Sequence, residues 1–126
     1  MSIKFKVVQK KNPQDMNAAS KWYATTVGDG DTTLQDLADY ASETSTVSKA
    51  DILAVLESTL TKVSKDLSNG KIVKVGEYFT LQMSLSSNPS DTEAEVTSSK
   101  IKGAKINFRP GKMFKDMIKL ATYSKK

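Results

Sequence analysis

Between Ser48 and the Ser68-Asn69-Gly70 break, the chain carries Ile52, Leu53, Leu56, Leu60, Val63 and Leu67 at steps of three and four. That spacing aligns all six on one stripe of an α-helix covering roughly residues 49–68. An apolar stripe of this length is stable only when another layer of the molecule covers it. Ser48 stands three positions before Asp51, a capping-box-like start whose carboxylate also suits the positive end of the helix dipole. Asn69-Gly70 supplies the stop. A shorter helical pattern precedes it: Thr33 is a capping residue, and Leu34, Leu37, Ala38 and Ala41 share a face. The short "TSTV" link makes the two an antiparallel helical hairpin with one face to be covered.

The cover is expected from the segment that follows. In "KIVKV", Gly76 and "YFTLQMSLS", Phe79, Leu81, Met83 and Leu85 alternate with Thr80, Gln82 and Ser84, the period of a half-buried strand. "SSNPSDTEAEVTSS" interrupts as a loop or protruding arm, and "KIKGAKINF" resumes the strand pattern. A last helix, from about Gly111 to Ala121, sets Met113, Phe114, Met117, Ile118 and Ala121 on one stripe and Lys112, Lys115 and Lys119 on the other. Upstream, Ile3, Phe5 and Val7 alternate with Lys4 and Lys6, and "KWYATTV" reads as a second strand after a loop marked by Asn12-Pro13. The chain thus divides into an N-terminal β extension, residues 1–31, and an α+β body, residues 32–126.

Composition narrows the chemistry. There is no cysteine and no histidine, so disulfides, thiol catalysis and the commonest general base and metal ligand are absent. No catalytic site, cofactor or small-molecule substrate is expected. Asp29, Asp31, Asp36 and Asp39 cluster near the first helix, but "DGDTTLQDLADY" lacks the glycine and closing glutamate of a calcium loop. Helix-dipole complementation explains them better than a metal does. The N-terminus alternates lysine with apolar residues and presents no signal-peptide block, and no run is apolar enough to span a membrane. These features lead us to expect a cytoplasmic protein.

The net charge of +5 is unevenly spread. Residues 28–70 carry three basic and eight acidic side chains, whereas residues 97–126 carry nine and one. A polyanion partner and a merely solvated basic face both fit such a concentration.

The segment "NFRPGKMFKDMI", preceded by "SSKI" and by "SKADILAVLESTLTKVSKDLSNGKIVKVG", resembles the HU and integration host factor family of bacterial histone-like DNA-binding proteins. The resemblance covers about residues 33–121, and the strand-bearing extension is similar to a divergent HU-like group of Bacteroidetes. It implies an HU-like fold: a helical hairpin, a three-stranded antiparallel sheet with a protruding arm and a C-terminal helix, intertwined with a second copy as a homodimer. It also implies double-stranded DNA as partner. Two departures are visible. "GEYFTL" puts Phe79 where the family has a glycine, which implies a differently built turn. In the arm, Asn88 and Pro89 match the family's Asn-Pro tip, but Ser87 replaces its arginine, and Asp91, Glu93 and Glu95 follow.

The expected contacts centre on Arg109-Pro110-Gly111-Lys112. Pro110 ends the preceding strand and suits the first turn of a helix, Gly111 would let a phosphate approach the backbone, and the free amides of the helix start would face that anion between Arg109 and Lys112, with Lys115 one turn on. An ordinary strand-to-helix turn is the alternative. Lys100, Lys102 and Lys105 are expected on the strand leaving the arm, Lys100 and Lys102 on one side and Lys105 on the other, with Lys74 able to join the row. The resemblance adds Ser99 and Lys100 at the arm's base, and Asn88 and Pro89. The aromatic residues Trp22, Tyr23, Tyr78 and Phe79 suit core packing better than base stacking. The resulting expectation is architectural, sequence-nonspecific DNA binding and bending at the nucleoid. The rival is an HU-fold interaction module that has lost strong DNA binding, which the acidic arm favours.

Overall fold

The computed structural model describes residues 2–15 and 17–126. Its elements run β1 (Ile3–Lys10), β2 (Lys21–Thr26), α1 (Leu34–Glu43), α2 (Lys49–Ser68), β3 (Val73–Val75), β4 (Phe79–Ser87), β5 (Ile101–Pro110), α3 (Lys112–Lys119) and β6 (Tyr123–Lys125). The protein is therefore α+β, with two three-stranded sheets ordered β2-β1-β6 and β3-β4-β5. Two compact units emerge: Met1–Thr32 with Met117–Lys126, and Thr33–Asp116. The final strand, absent from the sequence expectation, thus belongs with the N-terminal pair.

The helical hairpin forms where its caps direct. Thr33 Oγ1 accepts from the Asp36 N–H at 3.2 Å, and Asp36 Oδ2 accepts from the Thr33 N–H at 3.0 Å. This reciprocal capping box lies on α1, not on α2 where the sequence suggested it. On α2, Ser48 Oγ accepts from the Asp51 N–H at 3.3 Å. The helix ends in a Schellman motif: the Lys71 N–H reaches the Asp66 carbonyl, the Gly70 N–H reaches Leu67, and Gly70 takes φ +82°. Lys49 Nζ and Asp39 Oδ1, 2.8 Å apart, tie the hairpin's two helices together.

In the second unit, α2 lies against β3 and β4. The ladder pairs Val73 with Leu81 and Val75 with Phe79, then Leu81 with Phe108 and Met83 with Ile106. Directly paired residues share a face, so these apolar side chains form one side of the sheet. Phe114 of α3 packs there, its ring centroid 6.0 Å from Phe79 and 6.2 Å from Phe108, and Tyr78 meets it edge-on at 6.4 Å. The apolar side is only partly covered. Leu85, Ile106 and Phe108 remain 66%, 59% and 56% exposed, and among the described residues only Ala38 and Leu67 are buried apolar side chains.

The first unit is built on β1, antiparallel to β2 and parallel to β6. Here the expectation that Trp22 and Tyr23 pack in a core is overturned: they are 65% and 48% exposed. β2 is an edge strand, so its side chains have neighbours on one side only. Among the described residues no helix is long and apolar enough to cross a membrane.

Candidate nucleic-acid interface

The polar side of the sheet β3-β4-β5 follows from the same register. Lys74 pairs with Thr80 and Thr80 with Arg109, so a cation flanks Thr80 on each neighbouring strand. Along the same face, Gln82 pairs with Asn107 and Ser84 with Lys105. The strands contain no carboxylate. The face is therefore three cations set among neutral hydrogen-bonding side chains, a surface suited to phosphate oxygens. This corrects the expected lysine row: Lys74 joins Lys105 and Arg109, not Lys100 and Lys102. Lys105 was expected on the side opposite Lys100 and Lys102, and its spacing of four from Arg109 along one strand already implied a face shared with that arginine.

Lys100 and Lys102 diverge from expectation for separate reasons. Lys100 closes a 3-10 turn, Ser98–Lys100, and so precedes the strand. Lys102 lies at a bulge, where the register slips between Ser86, paired with Gly103, and Ser87, paired with Ile101. One residue of β5 is then left over, which breaks the simple alternation that would assign Lys102 a face.

At the Arg109–Lys112 corner, Pro110 ends β5, as expected, and α3 starts two residues later at Lys112, so the proline lies just before the helix. The Gly111 N–H donates to the Tyr78 carbonyl at 2.7 Å and the Met113 N–H to the Glu77 carbonyl at 3.2 Å. Two amides expected to face an anion are thus engaged by the β3-β4 turn. Gly111 is required for a different reason as well, since a Cβ there would meet the Glu77 carbonyl oxygen at 2.2 Å and its carbon at 2.6 Å. The close neighbour of this glycine is the backbone of the turn. What the corner presents outward is side-chain charge, from Arg109, Lys112 and Lys115, all exposed.

The arm is compact. The Asn88 N–H donates to the Lys100 carbonyl at 2.8 Å, closing the loop just beyond the Ser87–Ile101 pair. Asn88 and Pro89 therefore sit where the ladder ends. The middle of the loop is the 3-10 turn Glu93–Glu95, preceded by Asp91, and all three carboxylate side chains are exposed.

Comparison with known proteins agrees with this architecture. A solved structure of a candidate bacterial DNA-binding protein from Bacteroides vulgatus ATCC 8482 superposes with a TM-score of 0.70 at 13% identity, over 98% of this chain and 48% of that one. The chain thus spans about half the length of that neighbour, and at such identity the likeness speaks for the fold. No curated protein matches the chain. The family model described as an HU domain fused to wHTH, Ig or glycine-rich motif matches residues 1–125, nearly the entire sequence. With its helical hairpin, three-stranded sheet and basic strand-to-helix corner, the chain belongs to the HU-HIG family.

Proposed function

We propose that this protein is a non-enzymatic, architectural DNA-binding protein that engages the phosphate backbone of double-stranded DNA without reading its sequence, and bends it. The carboxylate-free face carrying Lys74, Lys105 and Arg109 is the observation that supports this most directly. Cations held by a rigid ladder position a duplex through its phosphates, while neutral Thr80, Gln82 and Asn107 add hydrogen bonds that are indifferent to base identity. Lys112 and Lys115 extend the charge along the start of α3. The neighbour's description as a candidate DNA-binding protein is consistent with this reading. The working form is a homodimer acting at the nucleoid in the cytoplasm, its second copy covering Leu85, Ile106 and Phe108.

A second reading is supported by one feature. Exposed Asp91, Glu93 and Glu95 would repel phosphate, as expected of a module that binds proteins instead of DNA. A salt titration of binding to a random duplex and to a nicked or cruciform one separates the two. DNA binding requires affinity to fall with salt at a slope of about −0.9 per phosphate engaged. Arg109→Glu and Lys112→Glu should each weaken binding at low salt with little change in the unfolding midpoint. Absence of salt-sensitive binding to any duplex at low ionic strength would leave the interaction module standing.

A further inference from the structure

The sheet β2-β1-β6 has two chemically opposite sides. Ile3 pairs with Tyr123, Phe5 with Thr26 and Lys125, Val7 with Ala24, and Gln9 with Trp22, which makes one side mostly apolar, with Lys125 its charged member. On the other side Lys4 pairs with Ser124, Lys6 with Thr25, Val8 with Tyr23, and Lys10 with Lys21. Lys4, Lys6, Lys10 and Lys21 are all exposed. From Lys4 to Lys10 the row extends about 20 Å, at roughly 3.3 Å per residue, a length over which a nucleic-acid strand passes about six phosphates.

The Lys10–Lys21 pair sets two like charges directly opposite each other. Like charges directly opposite on neighbouring strands destabilise a sheet. A carboxylate at this position would relieve the repulsion, but β1, β2 and β6 contain none. Among the described residues the ion pairs are Lys49 with Asp39 and Lys62 with Asp66, so no carboxylate is within ion-pair distance of either lysine. Asp15, in the loop between the strands, instead accepts the Asn17 N–H at 3.1 Å. The loop folds so that Lys10, Lys11, Lys21 and Tyr23 border one hollow together with Asn12 and Pro13. Lys10 Nζ lies 5.9 Å from the centre of the Tyr23 ring, which helps hold it over that hollow. Three lysines thus border one concave surface.

We propose that this lysine side is a second phosphate-binding surface for double-stranded DNA, centred on Lys10, Lys11 and Lys21 and continued by Lys6 and Lys4. The inference rests on the duplex-binding reading above and extends it to a unit whose strands share no residue with the β3-β4-β5 face.

The test uses the full chain carrying Lys6→Gln, Lys10→Gln and Lys21→Gln together, measured by fluorescence anisotropy against a random duplex across a salt series. The slope of log affinity against log salt should become shallower by about 2 to 3, near 0.9 per lost contact. The unfolding midpoint should hold or rise, because the Lys10–Lys21 repulsion is removed. The corresponding Lys→Arg triple variant should keep the wild-type slope. A wild-type slope in the folded glutamine variant would overturn the inference while leaving the first surface intact. Lack of salt-sensitive binding by the unmodified protein would overturn both surfaces. Measuring Arg109→Gln with Lys112→Gln alongside distinguishes the two sites, since losses from independent surfaces add.

Discussion

A single glycine shows how a residue can be necessary for a reason other than the one its motif suggests. Gly111 stands between Arg109-Pro110 and Lys112 in a phosphate-seat pattern, yet the atoms nearest its missing side chain are the backbone of Glu77 and Tyr78. Backbone cannot swing aside as a flexible side chain would. Gly111→Ala should therefore cost about 2–3 kcal/mol, the scale of overpacking a tight contact, read as a lower urea midpoint, while the folded fraction still binds DNA. The α1 capping box makes a second prediction at this scale. Thr33→Ala should destabilise by about 1 kcal/mol through loss of the cap. The Thr33 backbone N–H, followed by its hydroxyl, holds the Asp36 carboxyl below the usual value of 3.8. A depressed folded value means the charged form is favoured by folding, so its contribution is present above 3.8 and fades as pH falls through the lower folded value. The stability gap between wild type and Asp36→Asn should accordingly be seen at neutral pH and shrink on acidification below the carboxylate range.

At the scale of an element, the arm combines a Pro-containing segment with an acidic turn. Asn88 is bonded through its backbone to Lys100, and the loop beyond carries Asp91, Glu93 and Glu95. A wedge that unstacks base pairs has to reach beyond its own ladder, and Pro89 sits at the ladder's end. Pro89→Ala should change duplex affinity less than twofold. Replacing Asp91, Glu93 and Glu95 together with lysine should instead tighten binding and steepen the salt slope, because an element that repels phosphate would become one that grips it. A charge swap without effect on the slope would mean that the arm stays away from DNA altogether.

For the molecule as a whole, burial is the deciding quantity. A chain of 126 residues in which only Ala38 and Leu67 are buried apolar side chains among those described has more apolar surface than it covers. Leu85, Ile106 and Phe108 lie contiguously on the apolar side of β4 and β5, where a second copy would complete the layer. If so, folding and association are coupled, and the unfolding midpoint should rise with protein concentration. Ile106→Asp should abolish both the dimer and the folded state in sedimentation and circular dichroism. A folded monomer at micromolar concentration with a concentration-independent midpoint would contradict the dimer.

The amino-acid sequence by itself determined what depends on neighbours within one or two turns of chain. The stripe from Ile52 to Leu67, the Gly70 stop and the alternation from Phe79 to Leu85 are set by the 3.6 and 2.0 periods, and these elements form where the residues say they should. The grouping of Lys74, Lys105 and Arg109 required the cross-strand register, and the bulge at Ser86/Ser87 leaves Lys102 without a cross-strand partner. The parallel pairing of Tyr123–Lys125 with Ile3–Phe5 joins the two ends of the chain, and no local period encodes a contact over that separation. Gly111 likewise owes its necessity to a turn more than thirty residues earlier. Periodicity specifies which face of an element is apolar, but which faces meet, and in what register, is decided only when hydrogen-bond pairing and close packing are satisfied across the whole tertiary structure.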